Sequence, residues 1–147
     1  MLRIAMGVVA GLVAWVLIVT VLNFGLRLWL PGYLEAEPGM GFTLTMKIAR
    51  LVIAAITSVA AGALVRLIAP KSRWAAWIVG LVLLAMFVPE HIRLADKFPL
   101  WYHLTFLITL APLVVLGSRL RPFERNPAAA PLQDPVLERS NSSNKAP

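Results

Sequence analysis

Four stretches of this 147-residue chain contain no charged side chain: residues 4–26, 51–65, 74–89 and 98–118. Together they hold 75 residues, just over half the chain. A bilayer core about 30 Å thick needs about 20 apolar helical residues to cross it, and the first and last stretches reach that length outright. The two middle stretches fall short. Fifteen residues at ~1.5 Å rise cover only about 22 Å, so a span built on residues 51–65 must take in Arg50 or Arg66 and let their heads snorkel to the interface. In lipid every backbone N–H and C=O needs a partner within the protein, which leaves helices and closed barrels. These stretches are continuously apolar rather than alternating, so they read as helices. The expected fold is all-α, an integral membrane four-helix bundle occupying residues 1–121, with spans over about 2–30, 42–69, 72–89 and 99–120. Residues 122–147 carry five prolines among Ala, Ser and Asn. They hold too little apolar surface to offset ordering entropy, so a disordered C-terminal tail is expected there.

Composition excludes several functions. A net charge of +7 would suggest nucleic acid in a water-soluble chain. Beside membrane spans the same charge has a topological cause, and no nucleic-acid partner is expected. Cysteine is absent, which removes disulfides, thiolate metal sites and thiol redox chemistry, and with them a four-helix disulfide oxidase. The first stretch is longer than a signal-peptide core and lacks a small-x-small cleavage site, so it reads as a retained span. No Asp or Glu lies within a span to relay protons, and no Ser–His–Asp set falls at one depth. Four-helix multidrug transporters use a carboxylate in their first helix, and this first helix has none. The chain therefore reads as non-enzymatic, with no cofactor and no metal.

Basic residues set the expected orientation. Arg3, Arg66, Lys71, Arg73, Arg119, Arg121, Arg125, Arg139 and Lys145 fall on one side. Arg27, Lys47, Arg50, Arg93 and Lys97 fall on the other, offset by Glu35, Glu37, Glu90 and Asp96. The positive-inside rule then puts both termini in the cytoplasm of a multi-pass inner-membrane protein. Trp29, Tyr33, Trp101 and Tyr102 would form the outer aromatic belt.

Small residues four apart let helix backbones approach closely in lipid. Gly7 and Gly11 form a GxxxG in the first span, and Ala54, Ser58, Ala61 and Gly62 form a stripe in the second. Internal packing is the plainer reading. The sharper one is an interface through Gly7, Gly11, Ala54, Ser58 and Gly62 for a membrane-protein partner or a second copy, beside the membrane lipids that any such chain contacts. Pro112 in the last span removes the donor for the Ile108 carbonyl, so a static kink is expected there.

The polar residues expected at the outer face are the candidates for chemistry. Asn23 and Arg27 close the first span, Lys47 and Arg50 share a face of the second, Glu90 and His91 follow the third, and His103 sits in the first turns of the fourth. Ionisable groups at membrane depth usually pair or face a cavity. Arg50 and Arg27 are the deepest, and Glu90 is the expected counter-ion. The bland reading is a structural ion-pair cluster. The functional one is an outward-facing site for an anion, a lipid headgroup or a quinone. His91 and His103 are the only histidines, and without a third ligand they read as interfacial residues, not a metal or haem site.

The segment KFPLWYHLTFL at residues 97–107, followed by Ala111, Pro112, Leu113 and Gly117, resembles small four-helix inner-membrane proteins of proteobacteria that have no assigned function. The likeness is best in the fourth span and implies a bacterial inner-membrane location without implying an activity. Two readings stand side by side: an accessory or structural subunit of a membrane assembly, and a small transporter or ligand-binding protein using the outer cluster.

Overall fold

A computed structural model describes residues 1–72 and 74–120, and the expected tail over 122–147 lies outside the described residues. The described chain forms five helices: α1 (Leu2–Trp29), α2 (Tyr33–Ala36), α3 (Leu44–Ile68), α4 (Ala75–Arg93) and α5 (Leu100–Arg119). α1, α3, α4 and α5 are each long and apolar enough to cross a membrane. The protein is an all-α four-helix membrane bundle with one short additional helix. Thr43 caps α3 by accepting from the Met46 amide, and Pro99 precedes α5 in extended geometry.

The third span differs from expectation at its end. It was expected to stop near Pro89, yet α4 continues through Pro89 to Arg93. A proline removes one backbone bond, from its own nitrogen to the carbonyl four residues back. Residues 90–93 are not otherwise hindered, so the helix carries His91 one turn further instead of leaving it in a loop. The segment between α1 and α3 was expected to be a loop. It contains α2, entered through Gly32 at φ 75°, a left-handed turn position that favours glycine.

The four spans form a ring in the order α1, α3, α5, α4. α3 and α4, consecutive in sequence, sit diagonally and barely touch. α3 and α5 start at the same end of the bundle and run parallel, and they form its most extensive contact. Glycine makes that contact possible. A Cβ on Gly62 would overlap the Val114 carbonyl, and one on Gly117 would overlap the Val59 carbonyl. On Gly80 it would meet the Ala111 Cα at 2.9 Å, and on Gly7 the Ala69 Cβ at 3.1 Å, while on Gly11 it would press on Val65 and Val79. Gly7, Gly11, Ala54, Ser58 and Gly62, the residues considered for a partner interface, are all buried within the chain.

The main core is built on Trp15, Ala61, Val65, Val79, Leu83, Leu110 and Val114. Trp15 crosses from α1 to donate its indole N–H to Ser58 Oγ at 3.1 Å, and Ser58 in turn donates to the Ala54 carbonyl at 2.7 Å. Aromatic rings continue from this point toward the α2 end, Trp15 to Phe87 at 4.9 Å and Phe87 to Phe106 at 5.2 Å between centroids.

Gly62→Ala and Gly117→Ala are each expected to cost at least about 2–3 kcal/mol, because a backbone, unlike a flexible side chain, cannot yield to the added methyl. Gly25 and Gly39 have open space around them, so their alanine variants should unfold like the parent. Thermal unfolding followed by helical circular dichroism in detergent checks both pairs, and equal losses at all four positions would contradict the packing described.

Candidate functional site

The α2 end of the bundle, the expected outer face, is closed by a second apolar cluster of Tyr33, Phe42, Met46, Phe98 and Tyr102. Each comes from a different place: Tyr33 from α2, Phe42 from the turn before α3, Met46 from α3, Phe98 from the α4–α5 link and Tyr102 from α5. Phe98 stacks on Tyr102 at 4.8 Å and on Phe42 at 5.9 Å, and Tyr33 lies 5.1 Å from Phe42. Tyr33 is 1% exposed, so the residue expected in a lipid-facing belt instead points into the protein.

Arg50 projects from α3 into this aromatic cluster. Its Nη1 donates to the Tyr33 hydroxyl at 2.7 Å, and its guanidinium lies 4.8 Å from the Phe42 ring centre. A cation over a ring face gains about 0.5–2 kcal/mol, and a hydrogen bond to a charged group about 1.5–3. These contacts hold the guanidinium without neutralising it. Among the described residues, no carboxylate pairs with Arg50.

The expected counter-ion lies elsewhere. Glu90 sits on the exposed side of α4 and pairs with Arg93 at 3.4 Å, one helical turn away. Arg27 pairs with Glu37 at 2.7 Å, so the carboxylate that follows α2 takes the role assigned to Glu90. Asn23 satisfies itself within α1 by donating to the Val19 carbonyl at 2.8 Å. Lys47 is half-buried and makes no ion pair among the described residues. The seven candidates therefore divide into the Arg27–Glu37 pair, the outward Glu90, the self-bonded Asn23, the half-buried Lys47, the half-buried, ring-backed Arg50 and a histidine pair.

The histidines meet because α4 continues past Pro89. His91 Nδ1 and His103 Nδ1 are 2.6 Å apart, with the rings nearly perpendicular. One ring must donate and the other accept. His103 is buried, and its Nε2 has no partner among the described residues. An unpaired buried donor is less tolerable than an unpaired lone pair. That favours His103 donating from Nδ1 and His91 turning its own Nε2–H toward the half-exposed side. Phe106, 4.6 Å from His91, joins this pair to the central aromatic column. No group of three His, Cys, Asp or Glu able to hold a metal occurs among the described residues.

Sequence reasoning missed Tyr33 and Phe42 as the partners of Arg50. The Gly32-Tyr33 step and the Thr43 cap could have signalled a folded segment over the span ends. At the level of composition an inward aromatic and a belt aromatic look the same.

Tyr33→Phe should lower unfolding stability by about 1.5–3 kcal/mol, the range for a lost hydrogen bond to a charge. Ser58→Ala should cost about 1–3 kcal/mol by leaving the buried Trp15 indole unpaired. Glu90→Gln, on an exposed pair, should have no measurable effect. Unfolding midpoints in one detergent check all three, and a silent Tyr33→Phe would mean that Arg50 is held by something else. No protein family, curated protein or solved structure matches this chain.

Proposed function

We propose that the chain is a non-enzymatic multi-pass protein of a bacterial inner membrane, with both termini cytoplasmic, that binds an oxyanion-bearing ligand at its outer face through Arg50. One observation carries the reading. A guanidinium is fixed at one end of the bundle by Tyr33 and Phe42, with no carboxylate partner among the described residues. Taking a charge out of water is costly, and an arginine kept only for packing would be cheaper as an apolar side chain. Arg offers several donors in a planar fork, which suits carboxylate, sulfate and phosphate groups. Lys47, three residues earlier on α3, adds a second cation at the same level.

This reading draws more support from the geometry than the accessory-subunit reading does. The small residues that suggested a partner interface are engaged inside the bundle, where they fix the contacts of α3 with α1 and α5. Arg50, by contrast, keeps its charge without a carboxylate partner among the described residues.

Sulfate tests the site, because its charge is constant near neutral pH. A ligand at about one hundred times its Kd raises stability by about 2.7 kcal/mol. Sulfate also stabilises proteins non-specifically, so the readout is the difference between variants at matched ionic strength. The expected result is a sulfate-dependent rise in Tm, beyond that in chloride, which Arg50→Gln removes and Arg50→Lys reduces. An identical rise in the wild type and in Arg50→Gln would sink the proposal.

The orientation has its own test. A reporter active only after export should be inactive when fused after Leu120 and active when inserted beside Pro38. The reverse pattern would place Arg50 on the cytoplasmic side.

A further inference from the structure

The contact between His91 and His103 sits just past a weak point in α4. Pro89 lies inside that helix and has no N–H, so the Ala85 carbonyl loses its helical partner. The turn beyond Pro89 is held to the rest of α4 by one backbone bond fewer than an unbroken helix would provide. Of residues 88–93 only His91 is not exposed. Its ring lies 4.9 Å from His103, 4.6 Å from Phe106 and 6.2 Å from Tyr102 between centroids. This one side chain therefore pins the last turn of α4 to α5.

The pin tolerates one protonation state. Two neutral imidazoles carry two ring protons between them. One proton lies in the Nδ1–Nδ1 hydrogen bond, 2.6 Å across, and the other sits on His91 Nε2 at the half-exposed side. While that hydrogen bond is kept, a third proton has a single place left, His103 Nε2. That atom is buried without a partner among the described residues, and His103 as a whole is 7% exposed. An N–H enclosed there without an acceptor, on a pair that now carries charge, is heavily penalised. Breaking the contact avoids the penalty, because His91 can swing out about Pro89 and carry its charge to water.

The surroundings give a cation no help. On α4, Glu90 is exposed and pairs with Arg93. On α3 the charged groups are Lys47 and Arg50, both cations, and the charge of Arg50 acts on His91. Tyr102 on α5 and Tyr33 on α2 are phenols. Asp96 and Lys97 in the α4–α5 link are exposed, and Arg27 on α1 is engaged with Glu37. Among the described residues no carboxylate forms an ion pair with either imidazole.

We propose that His91, His103 and Pro89 form a proton-operated latch, in which the neutral pair pins the end of α4 to α5 and the uptake of one proton releases it. The latch is closed at neutral and alkaline pH and open in acid. It responds to acidity on the α2 side of the membrane, and its release uncovers His103 and Phe106. It stands whether or not Arg50 holds an anion.

The chain has no cysteine, so engineered cysteines take spin labels without background. Ile92→Cys and Leu104→Cys, both at exposed positions, span the latch, and Leu81→Cys with Leu116→Cys form a control pair on the other side of Pro89. Distances are measured by electron–electron double resonance on the full chain in nanodiscs, at about pH 8 and about pH 5, which bracket the usual range of histidine. The 92–104 distance should lengthen by several ångströms and broaden in acid, while the 81–116 distance stays constant. His91→Phe keeps a ring in place and removes the proton site, so its 92–104 distance should be the same at both pH values. An unchanged 92–104 distance in the parent, or an equal acid shift in His91→Phe, overturns the proposal. An equal shift in the control pair overturns it too, because acid would then be loosening the whole bundle. Should His91→Phe fail to fold, the parent chain decides. Its two histidines are the only ones, and nitrogen NMR should show coupling between the two Nδ1 atoms at the alkaline pH and none at the acid one. Coupling that is absent in alkali, or that persists in acid, rejects the latch.

Discussion

Where Gly62 meets the Val114 carbonyl and Gly117 meets the Val59 carbonyl, two helix backbones come nearly into contact. Lipid supplies little hydrophobic drive between helices, so close packing of this kind has to hold the bundle together. The contact ties α3 to α5 as parallel neighbours. With α3 fixed there, α1 can place Gly7 and Gly11 against Ala69 and Val65, and with α5 fixed, α4 can lay Gly80 on Ala111. The ring order of the spans follows from these glycine contacts.

The α2 end solves a different problem. Backbone that leaves a helix at membrane depth must find partners, and a charge placed there must be held. The aromatic cluster does both by closing over the span ends and holding Arg50 between the Tyr33 hydroxyl and the Phe42 ring. The histidine pair continues the same device onto α4. A polar contact between α4 and α5 sits where apolar packing thins out toward the interface. Trp15 and Ser58 play a comparable role deeper in, where one hydrogen bond fixes α1 against α3 in an otherwise apolar core.

Much of this architecture was legible in the residues. The absence of charge over four stretches marks the spans because lipid penalises charge regardless of fold, and Pro99 behaves as a start signal. The small residues at 54, 58 and 62 announce close packing, though not against which helix. Pro89 misled, because a proline signals a lost hydrogen bond and the loss of one bond did not end α4. The partner of Arg50 was also misjudged. Electrostatic reasoning looks for a carboxylate, and Glu90 was the nearest by helix level. Its position on α4 turns it outward to Arg93, while Tyr33 arrives from a four-residue helix that no periodicity could reveal. The diagonal placement of α3 and α4 has no signature in either sequence segment, since it depends on which grooves fit.

That diagonal placement bears on how the molecule is made. Spans emerge from the ribosome in order, and neighbours in sequence ordinarily pack as they arrive. Here α3 and α4 emerge in succession without forming a shared face, and each must first rely on α1. The largest contacts of both are with α5, which follows them in the chain. Without α5, the other three spans would leave the Gly62 face of α3 uncovered, so this one helix completes the ring.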